Sequence, residues 1–281
     1  MKMLEFKLLA AGYCTAKESI AKVSGAKKNI RFYATYALIK HPEIGYILFD
    51  TGYSQEFFKA TNKFPLSLYA KATKVYLQKH ETAKETLIQL GVPHDQIKYI
   101  IISHFHGDHI GGLKDFPNAK YICSKSAWEE VKGSKGFGAL FKGFLPSQIP
   151  SDFESRLQFI ENSSLGKMDP DLGKINDLFG DGSVWTCPLE GHAKGQFGIL
   201  FKTKTQNVFL IADAAWLKDN YENLDLPNSM VRLFFHSWKN FKESLMRIHL
   251  YHKSNPDTLI IPCHCEKTYL EIRQKQKDEN I

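Results

Sequence analysis

Residues 103–112 read SHFHGDHIGG, and they follow directly on a short apolar run, KYIII, at 98–102. Three histidines and one aspartate therefore fall within the six residues 104–109. At this composition, a chance arrangement of that kind is expected in roughly one sequence in a thousand. A short continuous apolar run is typical of a strand that is buried on both faces. The segment therefore predicts a polar cluster at the end of a buried strand.

The side chains of this cluster indicate a metal site. Neutral imidazole and carboxylate are the usual protein ligands of a borderline divalent ion. His104 and His106 are two residues apart and can chelate one ion, whereas Asp108 and His109 would serve a neighbouring ion. These four residues do not complete two sites. Three further candidates each end a predicted strand, where sites in α/β sheets gather: His192, Asp213 and His264.

Strand-like and helix-like segments alternate along both halves of the chain. Predicted strands, rich in β-branched and aromatic residues, cover 31–39, 44–49, 98–102, 119–123, 183–187, 197–202, 207–212 and 258–262, with a first strand within 1–14. Helices are predicted at 82–90, at 124–131 and along an apolar face that runs from Trp238 to His252. This alternation predicts the α/β class with layered sheets.

Composition excludes several classes of protein. Of the 281 residues, 43% are hydrophobic and 24% are charged, which is not the composition of a disordered, collagen-like or coiled-coil chain. No apolar run reaches about 18 residues, so we expect no membrane-spanning segment. The five cysteines are an odd and scattered set, which argues against a disulfide framework and predicts a reducing, cytoplasmic compartment. The formal charge of +7 is spread over the chain and predicts a solvated surface.

The motifs taken together resemble those of the metallo-β-lactamase superfamily of dinuclear metallohydrolases. They occur in the family's order, and they are FDTG at 49–52, the histidine motif at 104–109, Gly191-His192, Asp213 and His264. The resemblance implies a four-layer αβ/βα sandwich, in which two mixed β-sheets are flanked by helices. It also implies that residues 1–281 form a single hydrolase domain.

The resemblance further implies a role for each candidate ligand. Each of two ions would have three ligands of its own, which are His104, His106 and His192 for the first and Asp108, His109 and His264 for the second. Asp213 would bridge both ions, and Asp50 would brace the ligand loop. Two divalent ions are thus the expected cofactors, with zinc as the default and iron, manganese or cobalt as alternatives. A hydroxide shared by the ions would attack a carbonyl carbon, with Asp108 and Asp213 as catalytic residues.

Asp213 and the residues that make up the motifs favour one branch of the superfamily. The true β-lactamases of the family lack a bridging carboxylate at this position, whereas N-acyl-homoserine lactonases and hydroxyacylglutathione hydrolases have one. The segments SHFHGDHIGGL and GHAKGQFGILF look most like the lactonase branch, which implies a quorum-signal lactone or a related ester as substrate. In the best-known lactonases a tyrosine stands three residues after the bridging aspartate, where this chain has Trp216. Tyr221 is a nearby candidate for the same role.

Three alternatives stand beside the lactonase hypothesis. A thioester hydrolase of the hydroxyacylglutathione type would use the same ligands. A nuclease or phosphodiesterase of this fold would suit an isoelectric point of about 9.0, but no basic stripe interleaved with aromatic residues is present, so we expect a small-molecule substrate rather than nucleic acid. A binding protein or redox protein of this fold is disfavoured, because all seven ligands are present and no room is left for a flavin domain. The oligomeric state stays open.

Two segments fit the alternating pattern poorly. Residues 57–77 mix aromatic residues with lysines, and residues 132–151 combine glycines and prolines with phenylalanines. Such insertions are often lids over a site, and the alternative is that they are covering helices and surface loops. The first insertion offers apolar side chains that would either wall an acyl-chain pocket or pack in the interior, namely Phe57, Phe58, Phe64, Leu66, Leu68 and Tyr69.

The remaining histidines and cysteines are predicted to have structural roles. Six histidines lack ligand spacing and are expected at the surface or in packing: His41, His80, His94, His236, His249 and His252. Cys263 and Cys265 flank His264. Because alternate residues of an extended segment face opposite ways, both sulfurs are predicted to face away from the metals.

Overall fold

The computed structural model describes residues 2–163 and 165–278. Its strands are β1 (Glu5–Lys17), β2 (Asn29–His41), β3 (Gly45–Phe49), β4 (Lys74–Tyr76), β5 (Ile97–Ile101), β6 (Lys120–Cys123), β7 (Leu157–Phe159), β8 (Gly166–Asp169), β9 (Gly173–Asp177), β10 (Val184–Pro188), β11 (Phe197–Lys202), β12 (Asn207–Ala212) and β13 (Leu259–Pro262). Its α-helices are α1 (Glu18–Ala21), α2 (Gln55–Ala60), α3 (Ser67–Ala72), α4 (Ala83–Gln89), α5 (Lys125–Val131), α6 (Gly136–Phe141), α7 (Lys218–Asn223), α8 (Trp238–Ser254) and α9 (Glu266–Asp278).

The strands form two mixed sheets. The first has the order β4-β1-β2-β3-β5-β6-β7, and the second has the order β13-β12-β11-β10-β9-β8. In the first sheet β3, β5, β6 and β7 pair in parallel, and the pairs that involve β1 and β2 are antiparallel. In the second sheet only the β12–β13 pair is parallel.

Alternating side chains bury one face of each sheet against the other sheet. Phe201 of β11 and Leu210 of β12 belong to the same buried cluster as Leu8 and Ile101 of the first sheet. Phe209, next to Leu210, points to the opposite face, as the two-residue period of a strand requires. The central core therefore lies between the two sheets.

Helices cover the two outer faces. On the second sheet, α8 packs through Phe241, Leu245 and Ile248, which repeat at helical spacing on the apolar face that the sequence predicts. On the first sheet, Leu87 of α4 and Trp128 of α5 belong to the outer cluster. The resulting layers are helix, sheet, sheet and helix, so the predicted α/β sandwich of two mixed sheets is confirmed.

The predicted strands agree with the observed ones to within two residues at each end, except that β1 continues to Lys17. The prediction missed β4, β7, β8 and β9, which have five residues or fewer, and also the helices α1, α2, α7 and α9. The two poorly fitting segments contain α3, β4 and α6, and β4 pairs with β1 as an edge strand. Among the described residues, no helix has the length and apolar character that crossing a membrane requires.

Candidate metal centre

The seven predicted ligands lie in loops at the carboxyl ends of strands. The segment 103–112 follows β5, His192 follows β10, Asp213 follows β12 and His264 follows β13. Asp50, which follows β3, and Ala212 have positive φ angles of 60° and 46°. Such left-handed conformations outside glycine cost about 1–3 kcal/mol each and are concentrated at functional sites. Two of the three described non-glycine residues with positive φ therefore lie where the strands deliver the polar side chains, and the third, Leu224, caps the end of α7.

A first group of ligand atoms belongs to His104, His106, His192 and Asp213, and these atoms all lie within 4.8 Å of one another. His106 Nδ1 is 2.9 Å from His192 Nε2, which in turn is 3.1 Å from Asp213 Oδ2. The rings of His104 and His106 meet edge to face with their centroids 4.5 Å apart. The three imidazoles and the carboxylate thus converge on one small volume.

A second group belongs to His109, Asp213, Cys263 and His264, and its ligand atoms also lie within 4.8 Å of one another. Asp213 Oδ1 is 3.3 Å from His109 Nε2, and Asp213 Oδ2 is 3.1 Å from His264 Nε2. Asp108 stands beside this group, with its Oδ2 at 3.5 Å from His264 Nε2 and 3.9 Å from His109 Nε2. The structure therefore brings all seven predicted residues together, and Asp213 belongs to both groups.

The donor atoms of these groups fit a pair of divalent ions. Within the described part of the chain, four buried polar atoms of the site have no hydrogen-bond partner: His104 Nε2, His109 Nε2, His192 Nδ1 and Asp213 Oδ1. Burying polar atoms without partners is costly, and native interiors avoid it. Imidazole nitrogens and carboxylate oxygens are also the donors that zinc and similar ions prefer. A bound cation would satisfy the atoms that face the shared volume.

Hydrogen bonds on the outer ring nitrogens fix the orientation of several ligands. His109 Nδ1 donates to Asp50 Oδ2 at 2.7 Å, and the backbone N–H of Ser103 donates to Asp50 Oδ1 at 2.8 Å. His264 Nδ1 donates to the backbone oxygen of Tyr33 at 2.8 Å. A hydrogen bond on one ring nitrogen fixes the tautomer and leaves the other nitrogen available as a ligand. Asp50 therefore has the bracing contacts that the resemblance implies.

The surroundings of the two groups shift the pKa values of their histidines in opposite directions. Burial lowers the pKa of His104 and of His192 well below the usual value. Burial also opposes protonation of His109, but Cys263, Asp50 and Asp213 together raise the pKa of His109 well above its usual value. Burial likewise acts to raise the pKa of Asp213, yet the neighbouring histidines hold that pKa well below its usual range. Binding of a cation by the second group would therefore displace protons.

The structure also settles several secondary sequence predictions. The Trp216 indole N–H donates to Asp213 Oδ2 at 3.3 Å, whereas the Tyr221 hydroxyl donates to the backbone oxygen of Ile260, away from the site. Of the two candidates for the role of the lactonase tyrosine, Trp216 is therefore the one that contacts a predicted ligand. The prediction for Cys263 is wrong, since its sulfur lies in the second group. His41 and His249 are buried in hydrogen-bonded packing, as expected.

A cavity of about 170 Å³ leads to the first group, because His106 and His192 form part of its wall. Phe141, Phe234 and Leu233 stand around it and are largely exposed. The larger groove of the described structure, about 990 Å³, is lined by residues of β13, α7 and α9 and includes none of the seven ligands. The small cavity is therefore the one of these two that borders the predicted ligands.

The insertion at 132–151 covers the histidine loop. The backbone N–H of Gly107 donates to Gly143 O at 3.0 Å, and the side-chain amide of Gln148 donates to Gly107 O at 3.0 Å. Gly143 has a φ of 58°, and a Cβ there would lie 2.7 Å from Cδ2 of His106. Glycine is required because the backbone passes directly over the imidazole.

The first insertion does not form a continuous apolar wall. Phe57 is buried and packs against Tyr53 and Tyr69, with ring centroids at 5.1 Å and 5.4 Å. Phe64, in contrast, is 70% exposed and contacts Phe137 of the second insertion, with ring centroids 5.4 Å apart. The aromatic residues of 57–77 therefore divide between interior packing and the outer surface.

Comparison with known proteins places this site in a family. The sequence model of the metallo-beta-lactamase superfamily matches residues 31–244. An N-acyl homoserine lactonase AttM from Rhizobium radiobacter is 27% identical over 232 residues, which are 80% of this chain and 79% of that protein. An N-acyl homoserine lactonase from Bacillus cereus is 22% identical and covers 88% of this chain and 90% of its own length.

A solved structure shows the same fold. The structure of an AiiA variant from B. thuringiensis, with N-decanoyl-L-homoserine bound at its active site, superposes with a TM-score of 0.72. It covers 96% of this chain and 97% of its own chain, at 19% sequence identity. The likeness at that identity concerns the arrangement of the sheets and helices.

Proposed function

The chain belongs to the metallo-β-lactamase superfamily, and we propose that it is a dinuclear metal-dependent hydrolase that opens a lactone or a related carboxylic ester. The observation that carries the proposal is the carboxylate of Asp213, which is shared by both groups of ligand atoms. A shared carboxylate is suited to hold two cations side by side. The relatives named N-acyl homoserine lactonases support a lactone as the substrate class.

The chain's residues would hold the ions in two sets that Asp213 joins. His104, His106 and His192 form one set, and Asp108, His109 and His264 form the other. Zinc is the metal we propose, because nitrogen and carboxylate donors suit it. When bound, such a pair of ions polarises a carbonyl oxygen and brings the pKa of water close to neutrality.

The surrounding residues orient the site and supply a proton. Asp50 and the Tyr33 carbonyl keep the Nδ1–H groups of His109 and His264 pointing outward, so that both Nε2 atoms point to the shared volume. The Asp108 side chain is 12% exposed and that of Asp213 is 4% exposed, so Asp108 is the aspartate with access to substrate. We assign to an Asp108 carboxylate oxygen the transfer, to the departing alkoxide, of the proton that the attacking water would release.

The cavity beside the first group suits the acyl part of a substrate. Phe141 and Phe234 present exposed apolar surface at its mouth, while His106 forms part of its inner wall. The cationic groups of Lys142 and Lys194 lie 3.3 Å and 3.4 Å from the carboxylate oxygens of Glu130, so this one carboxylate compensates one of the two positive charges. The exposed rings of Phe141 and Phe234 favour an apolar acyl chain at this mouth. Segments 57–77 and 132–151 are the proposed lids.

A substrate panel on the purified protein tests the proposal. The metal content is measured, and hydrolysis is followed with lactones of increasing acyl-chain length, thioesters, phosphodiesters and β-lactams. We expect about two ions per chain and the highest kcat/KM on a lactone, rising with chain length. Removal of the ions with a chelator is expected to abolish hydrolysis. Full activity in metal-free protein, or a preference for phosphodiesters, would refute the proposal.

Variants test whether a loss of hydrolysis comes from the site or from a disturbed fold. His106→Ala is expected to abolish hydrolysis while the far-ultraviolet circular dichroism spectrum is retained, because the ring contributes a ligand rather than core packing. The matched control is His80→Ala, which removes an exposed histidine outside the site. Equal loss of activity in both variants would show that the effect does not come from the site.

A further inference from the structure

The sulfur of Cys263 reaches the second group because the chain turns there. β13 ends at Pro262, and Cys263 and His264 lie in a turn. Adjacent side chains of a turn need not point to opposite faces, as they do along an extended strand. Cys263 and His264 therefore both reach the site, whereas Cys265 forms an isolated bridge with Phe32 and packs beside Ala21.

The surroundings of Cys263 are those of a potential ligand. The residue is 5% exposed, and its Sγ lies within 4.8 Å of the ligand atoms of His109, Asp213 and His264. In the described structure, His109 Nε2 and Asp213 Oδ1 have no hydrogen-bond partner. Sγ donates to the backbone oxygen of Thr35 at 3.4 Å, and Thr35 Oγ1 lies 3.5 Å from Sγ. The sulfur thus borders the same volume as two buried polar atoms without partners.

We propose that Cys263 is a thiolate ligand of the ion that the second group holds, an inference that rests on the proposed dinuclear site. Thiolate sulfur is among the preferred ligands of zinc and of other soft ions. On binding, the S–H bond breaks, an electron pair of the sulfur forms the bond to the ion, and the proton leaves to solvent. The Thr35 hydroxyl donates to the backbone oxygen of Cys263 at 2.7 Å and so fixes the backbone that carries the sulfur.

This ligand makes the two halves of the site chemically different. The first group offers only imidazole and carboxylate, whereas the second adds one soft donor. Soft donors favour zinc, cobalt or cadmium over manganese or magnesium. The second group should therefore select thiophilic ions, and alkylation of Cys263 should compete with their binding.

Cobalt substitution tests the proposal by spectroscopy. The full chain is loaded with cobalt(II), and bound ions are counted while the near-ultraviolet absorption is recorded, because a thiolate bonded to cobalt gives a charge-transfer band there that nitrogen and oxygen ligands do not give. We expect the band in the unaltered protein and in Cys265→Ser, and its complete loss in Cys263→Ser. The affinity of Cys263→Ser for the second ion should fall about 10-fold or more.

The possible results separate the assignment of Cys263 as a ligand from the proposal that the site holds two ions. Two bound cobalt ions without the band would overturn the assignment of Cys263 and leave the proposed function standing. Failure to bind cobalt would overturn both. If Cys263→Ser does not fold, cadmium NMR of the unaltered protein decides, because a thiolate ligand moves the cadmium resonance far downfield from the range of nitrogen and oxygen sites.

Discussion

The histidine rings of the two groups are held in orientation by different kinds of contact. In the second group the outer nitrogens of His109 and His264 donate to Asp50 and to the Tyr33 carbonyl. In the first group, among the described residues, the outer nitrogen of His192 has no hydrogen-bond partner, and its ring packs against Phe235 with centroids 4.9 Å apart. His104, in the first group, has a hydrogen bond of 3.0 Å between its Nδ1 and Ser103 Oγ. Hydrogen bonds therefore orient the second group, whereas packing orients His192 and His106 of the first.

This difference between the groups concerns both the orientation of the histidine rings and their pKa values. Burial acts to lower the pKa of His109 and of His264, but the acidic groups around the second group, Asp213 and Cys263 above all, raise both pKa values well above the usual value. Apolar packing keeps rings neutral, as the lowered pKa of His192 shows, but an apolar contact sets their angle less strictly. We therefore expect the second group to depend on individual hydrogen bonds and the first group to depend on the shape of its walls.

The largest expected effect comes from the residue that both groups share. In Asp213→Asn the side chain keeps its size but loses its charge, so both groups lose a ligand. We expect kcat/KM to fall about 1,000-fold or more and at least one ion to be lost. Metal analysis and kinetics measure the two effects. Asp95→Asn, at an exposed aspartate, is the control and should change neither quantity.

The bracing carboxylate of the second group comes next. Asp50→Asn retains a residue type that tolerates the positive φ of 60°, but it removes the charge that accepts from His109 Nδ1. Loss of such a partner typically costs 10–100-fold in metal affinity or activity, so we expect about 100-fold in affinity for one ion. Competitive chelator titration measures it. If both ions were weakened equally, the division into two differently supported groups would be wrong.

The wall of the first group is tested through Gly143. In Gly143→Ala the new Cβ would lie 2.7 Å from His106 Cδ2, so the ring must shift away from its place. We expect about a 10-fold weaker first ion, by analogy with the loss of other orienting contacts. Gly133→Ala is the matched control, because it has a similar positive φ of 76° but nothing within 4 Å of the new Cβ.

Both glycine variants place alanine at a positive φ, and only Gly143→Ala adds a contact with His106. Both should lose about 1–2 kcal/mol of folding free energy, because alanine is strained at positive φ. Chemical denaturation measures this loss, and a chelator titration measures the ion. Equal ion affinity in the two variants would mean that His106 does not depend on the covering loop.

Sequence information was sufficient where the signal is local. The histidine motif, the strand before it and the polar residues that end β12 and β13 follow from short patterns. The proximity of Asp213 to His264 follows from the shared edge of the parallel strands β12 and β13, whereas the histidine motif comes from the other sheet. The short polar strand β8, in contrast, is defined by its pairing with β9 rather than by its own composition. α9 was missed because few of its residues are apolar, so it shows no clear period.

The missed features of the site depend on contacts that are distant in sequence. The orientation of Cys263 depends on where β13 stops, since the alternation rule fails one residue after Pro262. The contact of Gly143 with His106 joins residues from two loops, and no periodic pattern encodes such a contact. Trp216 could be identified from its spacing to Asp213, but only the structure shows that its N–H reaches the carboxylate.

The smallest expected effect concerns Trp216, which touches the boundary between the two groups. Trp216→Phe keeps an aromatic ring beside His192 and Phe235 but removes the indole N–H that lies 3.3 Å from Asp213 Oδ2. One hydrogen bond to a charged group contributes about 1.5 kcal/mol, so we expect kcat/KM to fall about 10-fold. If the N–H only orients Asp213, kcat should fall with little change in KM, and both ions should remain bound. If KM rises instead, the indole contacts the substrate directly, and the wall of the first group then also contributes to recognition of the substrate.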